Sequence, residues 1–260
     1  MVLDLLHIDK GFSKTLVIFH AALAGSKVTS YPLFSGLGVA RDIHANVICV
    51  SDPSLALDLE LAWFAGNISQ PLQTDLPNVL RHLLSYYSES QEVAFFGASG
   101  GGFASLFYSH GFPGSSAISI NPQLDLTKYS PSPVAKYSDR AWDGQDLRTA
   151  PFIESLDRLY KAGFPNKVFL LQNLQDGHHR DRHVASWLRV VPSMSKNLNL
   201  LAKPWGRGHV PPDKETIISS VNAILANDRE QLDSIGFKQS PGRRHLGEQY
   251  LSWKASLKAE

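Results

Sequence analysis

The stretch FFGASGGGFASL, residues 95 to 106, closes the apolar run QEVAFF and constrains the fold more than any other segment of the chain. Gly97, Ser99 and Gly101 fit a GxSxG spacing, in which a strand turns so sharply into a helix that the central residue is strained and its side chain stands out. The residues two positions to either side are pressed together in such a turn, so only small ones fit, and both are glycine. The amide of Gly100 then starts the following helix and faces any negative charge that develops beside Ser99. This makes Ser99 a candidate nucleophile.

Glycine-rich turns between strand and helix also bind phosphates, and two such readings fail on the residues. A P-loop needs Lys followed by Ser or Thr, where this chain has Phe103 and Ala104. A dinucleotide fingerprint needs GxGxxG, whereas the run reads GxxGGG. A plain structural turn is the remaining alternative, and the rest of the chain must decide against it.

Short apolar runs at 15–20, 46–51, 92–97, 116–121, 167–172 and 197–202 read as buried strands. Helical patterns lie between several of them. In PLQTDLPNVLRHLLSYY, Leu76, Val79, Leu80, Leu83 and Leu84 recur at helical spacing; a second helix is expected from Phe103 to Ser109, another in PFIESLDRLYKAG up to Gly163, and a last one from Asp213 to Asn227. Alternating strands and helices predict an α/β architecture, a mainly parallel sheet with helices on both faces. Ligands gather at the carboxyl ends of such strands, where Ser99 would sit.

The 260 residues, 43% hydrophobic and 19% charged, are expected to form a single domain with its core at about 14–227. The segment 122–150, with Tyr129, Tyr137 and Trp142, is either a cap over the site or an excursion packing its aromatics into a satellite core. Residues 228–260 form a polar extension expected to dock through Tyr250, Leu251 and Trp253, or to stay partly mobile. A net charge of +1 without long single-sign runs argues against nucleic acid as a partner. Cys49 is the only cysteine, so no intrachain disulfide forms. No stretch reads as a secretion signal or a membrane span, which makes the cytoplasm the expected location.

A serine hydroxyl needs an imidazole to remove its proton, and the imidazole a carboxylate to orient it. Among ten histidines His209 is the best placed, in the loop KPWGRGHVPPDKET between the last long strand and the last helix; His7, His44, His82, His110 and His245 read as ordinary surface or loop residues. Asp176, in NLQDGHH after a strand, is the candidate carboxylate, with Asp181, Asp125 and Asp52 as substitutes. The order Ser99, Asp176, His209 suits this geometry. A second oxyanion donor is expected from FHAALAGS, at the amide of Ala22 beside Ala21, where a more familiar sequence has glycine after His20. Trp142, Trp205 and His178 are expected to contact substrate. His179 and His183 are four apart, a spacing for metal ligands, but Arg180 replaces the glutamate of HExxH, and a solvated helix face or substrate contact is the stronger reading.

Taken together, FFGASGGGFASL, SAISIN, NLQDGHH and GRGHVPP resemble the α/β-hydrolase superfamily over roughly residues 14 to 227. The GxSGGG elbow and Asn121, Pro122 and Gln123 after the next strand look like a branch of hydrolases associated with bacterial surface-glycan genes. The resemblance implies the serine, carboxylate and late histidine already placed, and no metal or organic cofactor. It leaves substrate open, since the fold hosts many activities. The expected function is a serine esterase acting on a small-molecule or glycan-linked acyl substrate. The alternatives are acyl transfer to an alcohol or sugar hydroxyl, and an inactive binding or scaffold protein.

Overall fold

The computed structural model describes residues 2–23, 31–86 and 92–258. Tyr87, Gln91 and the end of the FHAALAGS loop, which belong to segments read above, lie outside the described residues. Eight strands form one sheet in the order β1-β3-β2-β4-β5-β6-β7-β8. Strands β2 (Lys14–Phe19), β3 (Asn46–Val50), β4 (Glu92–Ala98), β5 (Ser116–Ile120), β6 (Lys167–Asn173) and β7 (Leu198–Lys203) run parallel. They match the six apolar runs, and being covered on both faces they are apolar at almost every position. The edges add β1 (Leu5–Ile8) and β8 (Lys238–Gln239), both antiparallel; β1 is four residues long, interrupted by His7 and not fully buried, and β8 is two exposed polar residues, so neither shows as a buried run.

Helices cover both faces in the chain order α1 (Leu37–Ala40), α2 (Leu72–Leu84), α3 (Gly100–His110), α4 (Pro131–Trp142), α5 (Asp157–Tyr160), α6 (Lys214–Ala226), α7 (Arg229–Ile235) and α8 (His245–Ser256). One face is closed by Ile217, Val221 and Ile224 of α6 with Leu232 of α7, packed against Ile18, Val47 and Leu201. The other is closed by Phe103 and Leu106 of α3, Leu72, Leu76 and Leu80 of α2, and the aromatics of α4. The Asp213 side chain accepts from the Thr216 amide at 2.7 Å and caps α6 as its sequence indicates.

Two segments for which the sequence left alternatives take the following forms. The interlude 122–150 holds the helix α4, opened by Ser130 and Pro131; Tyr137 and Trp142 are buried in the main core, with Trp142 stacked on Phe152 at 4.9 Å. Tyr137 and Trp142 therefore serve packing, whereas Tyr129 is only half-buried. The polar extension is folded onto the domain through α7, β8 and α8: Leu246 is buried and Tyr250 and Trp253 pack against the core, whereas Leu251 is 67% exposed and does not dock. Among the described residues no helix is long and apolar enough to cross a membrane.

Candidate active site

The elbow is built as its glycines require. Ser99 has φ 55° and ψ −116°, a positive φ outside the regions comfortable for a side-chain-bearing residue. A Cβ on Gly97 would lie 2.1 Å from the Gly101 carbonyl oxygen, and one on Gly101 2.6 Å from the carbonyl oxygens of Phe19 and His20. The first turn of α3 is thus wedged against the end of β2, and neither position admits alanine without moving backbone. Ser99 is tied to the next strand, its amide donating to Ile120 at 2.9 Å and its carbonyl accepting from Gln123 at 3.1 Å.

The Ser99 hydroxyl accepts a hydrogen bond from Nε2 of buried Gln123 at 2.9 Å. The orientation of that amide follows from its other partner. Trp63 Nε1, which can only donate, bonds to the far oxygen of Gln123, so the nitrogen must face the serine. Trp63 and Phe64 both have φ 54° and form a corner held by fully buried Asp52, whose carboxylate accepts from the Phe64 amide at 2.6 Å and the Ser54 amide at 3.0 Å. Burial pushes the Asp52 carboxyl up to about 6 despite those bonds. Asp52 thus braces the corner that sets the Trp63–Gln123–Ser99 chain.

On the facing side, Asp176 follows β6 and is buried. Its carboxylate accepts from His209 Nδ1 at 2.5 Å and lies 2.9 Å from His179 Nδ1. Burial works to raise the Asp176 pKa, but the bonds from His179 and His209 outweigh it and hold the carboxyl well below the usual range. The two imidazoles stack, ring centres 3.9 Å apart and 21° from parallel. Burial depresses the pKa of His179 against the opposing pull of Asp176. The substitute carboxylates are engaged elsewhere: Asp181 pairs with Arg180, Asp125 caps a turn at Thr127, and Asp52 braces the Trp63 corner.

Two asparagines hold the His209 loop. Asn121 Nδ2 donates to the Val210 carbonyl at 3.0 Å while its Oδ1 accepts from the Asn173 amide at 2.7 Å. Asn173 Nδ2 donates to the carbonyls of Gly206 and Gly208, both at 2.8 Å, and its Oδ1 accepts from the Trp205 amide at 3.0 Å. The carbonyls on both sides of His209 are therefore anchored to the ends of β5 and β6. Gly206 and Gly208, at φ 129° and 85°, supply the bends.

Asp176 and His209 are thus in contact. Ser99 and His209 share no hydrogen bond among the described residues; the hydroxyl takes its bond from Gln123. Catalytic hydrogen bonds commonly tighten only with substrate in place. The amides of Gly100 and Ala22 make no hydrogen bond among the described residues, and Ala22 lines a cleft of about 240 Å³ with Leu59, Leu61, Tyr129, Pro133 and Lys136. Leu61 overlies Gly100, since a Cβ there would come within 2.3 Å of it. Tyr129, whose ring edge lies against His178 at 5.7 Å and Trp63 at 6.1 Å, joins the two sides.

Of the expected substrate contacts, only His178 faces this region, in edge contact with Tyr129. Trp142 is a correction: at 2% exposure and stacked in the core it has no surface to offer. Trp205 is half-buried, packs against the core on the α6 face and is not among the residues lining the cleft. Trp63 and the contact of His179 with Asp176 escaped sequence reasoning; Tyr129 was named there only among the aromatics of a possible cap, and Gln123 only in Asn121-Pro122-Gln123. A nitrogen or oxygen from each of Asp176, His179 and His209 lies within 4.8 Å of the others, close enough to share a cation. The Nδ1 atoms of His209 and His179 are also the ones in contact with the Asp176 carboxylate, at 2.5 and 2.9 Å.

No family model and no curated protein matches the chain. Solved structures do. The capsule O-acetyltransferase of Neisseria meningitidis serogroup A is 16% identical, with 90% of each chain covered and a TM-score of 0.57. An esterase/lipase from an uncultured bacterium is 17% identical over 87% of this chain and 78% of its own, TM-score 0.55. A fluorophosphonate-binding serine hydrolase of Staphylococcus aureus is 11% identical over 86% and 90%, TM-score 0.53. At these identities the likeness establishes architecture, and with the sheet order and the elbow it defines the chain as an α/β-hydrolase fold.

Proposed function

We propose that this protein is a serine-dependent acyl hydrolase that cleaves esters of small acyl groups through an acyl-enzyme on Ser99. The observation that carries this reading is the strained, glycine-flanked Ser99 at the head of α3 in a fold where Asp176 already holds His209 by Nδ1. With Nδ1–H given to the carboxylate, Nε2 of His209 carries the lone pair a general base needs.

In the proposed reaction Ser99 Oγ attacks the ester carbonyl and its proton passes to His209 Nε2. The oxyanion is held by the Gly100 and Ala22 amides. Collapse expels the alcohol, which takes the proton from His209, and water repeats the sequence to release the acid and free Ser99. Because Gln123 donates to Oγ, the serine's own proton is left free for the base, and the same amide steadies negative charge on Oγ as it forms and leaves. The small cleft at Ala22, Leu61 and Tyr129 supports a short acyl group.

A second reading, transfer of the acyl group to a sugar hydroxyl in place of water, is supported by the likeness to a capsule O-acetyltransferase across 90% of both chains. A form of that acetyltransferase is a complex with CoA. A panel of acyl esters assayed with wild type and Ser99→Ala, with and without sugar acceptors, tests both. Ser99-dependent release of free acid supports hydrolysis, and Ser99-dependent acylation of the sugar at its expense supports transfer. Equal turnover by the two proteins removes the reading altogether.

A further inference from the structure

The acyl-transfer chemistry makes no use of the groove between the π-helical segment His178–Ala185 and α8. It encloses about 430 Å³, and its walls carry Arg180, Arg189, Arg243 and Arg244 against two carboxylates, Asp181 and Glu248. Arg180 is already committed: it pairs with Asp181 through Nε and Nη2, both at 2.7 Å, donates from Nη1 to the Leu174 carbonyl and lies 3.7 Å above the Tyr250 ring. The other three guanidinium groups are not. Arg189, Arg243 and Arg244 are exposed, and among the described residues none forms an ion pair with a carboxylate.

Three unpaired cations brought to one groove repel one another, and the groove wall concentrates their field. An anion with several oxygens relieves that repulsion, and the guanidinium fork fits phosphate oxygens in pairs. The rest of the lining is apolar or aromatic, with Leu246, Ala185, Leu251 and Tyr250, which suits a ligand that also has a carbon body. One end of the groove is joined to the candidate site through the backbone. Its Arg180 end hangs from the segment that bears Asp176, the Arg180 amide donating to the Asp176 carbonyl at 2.9 Å.

We infer that this groove binds the phosphate ester portion of a substrate, with Arg189, Arg243 and Arg244 holding the phosphate end. Two sources share that chemistry: a soluble phosphorylated carrier of the acyl group, and a glycan joined by phosphodiesters. The link to catalysis rests on the acyl-transfer reading of Ser99; the binding itself does not.

The test is calorimetric titration of the full chain bearing Ser99→Ala, at low salt, with adenosine 3′,5′-bisphosphate, inorganic pyrophosphate and a phosphodiester-linked oligosaccharide. At least one should bind, about tenfold or more weakly in Arg189→Gln/Arg243→Gln/Arg244→Gln, and more weakly as salt rises. Binding of the bisphosphate without the oligosaccharide identifies a soluble carrier, and the reverse identifies a glycan. Absence of binding by all three probes overturns the inference, as does equal binding by the triple variant or preference for a uronate oligosaccharide carrying carboxylates alone. Thermal unfolding of the triple variant, and of Arg243→Gln by itself, checks that a loss of binding comes from a folded chain. Fluorophosphonate labelling of wild type separates the two claims. Labelling without phosphate binding removes the groove and keeps the serine; binding without labelling does the opposite.

Discussion

Ser99 is buried, held in one backbone conformation by steric necessity and bonded through its hydroxyl to an amide that itself has no freedom, whereas the His209 side chain is 42% exposed on a glycine-rich loop. The serine side is rigid because backbone touches backbone at Gly97 and Gly101. The histidine side is rigid only as far as four asparagine bonds and one carboxylate make it so. A packed strand-to-helix turn tolerates no variation at its contact points, while a loop held by side-chain hydrogen bonds can be loosened one bond at a time. Substitutions on the serine side should therefore act nearly all or none, and those on the histidine side should be graded.

The largest effect is expected for Ser99→Ala, which removes the nucleophile and should lower kcat by about 10⁶, as read from ester hydrolysis. Asp176→Asn keeps the shape but leaves His209 without its orienting charge; about 10⁴ in kcat is expected, with KM little changed. Gln123→Ala frees the Ser99 hydroxyl and leaves the Trp63 indole without its acceptor, and a loss of roughly 10²–10³ in kcat is expected by analogy with removal of one oxyanion-type donor. Should Gln123→Ala prove neutral while Asn173→Ala is severe, the assignment of rigidity to the serine side fails. Asn173→Ala releases the Gly206 and Gly208 carbonyls and should cost about tenfold to a hundredfold in kcat through misplacement of His209.

The smallest effect concerns stability. His183, whose Nδ1 accepts from the Leu124 amide at 3.2 Å, is pushed down to about 3 by burial and by neighbouring His179 and His178. The ordinary imidazole value of 6.5 applies when unfolded, so acid protonates the unfolded chain first. The stability it contributes is complete above pH 6.5 and drains away as pH falls towards 3. Asp52, raised to about 6, acts in the opposite sense, because the fold keeps its proton. Comparing wild type with His183→Asn, which retains an acceptor, cancels that contribution: Tm should fall less steeply on acidification in the variant.

The same contrast explains what could be read from the sequence. The six parallel strands and the elbow were legible because burial on both faces and contact between backbones leave their mark on each residue. His209 and Asp176 were legible through their order and their loops. Gln123 and the Asn121–Asn173 clamp were not, because a hydrogen bond between residues dozens of positions apart imposes no local pattern. Trp142 misled for the converse reason: an aromatic in a proline-broken segment has the same composition whether it lines a cleft or fills a core. The helix α4 around it was hidden by the prolines that in fact open it, Pro131 being the first helical residue.

Reaction of the folded protein with a fluorophosphonate, followed by peptide mass mapping, tests the central claim most directly. The account predicts a single adduct on Ser99 in wild type that forms far more slowly in His209→Ala. A folded wild-type chain that leaves Ser99 unmodified, or one that labels at the same rate without His209, contradicts it.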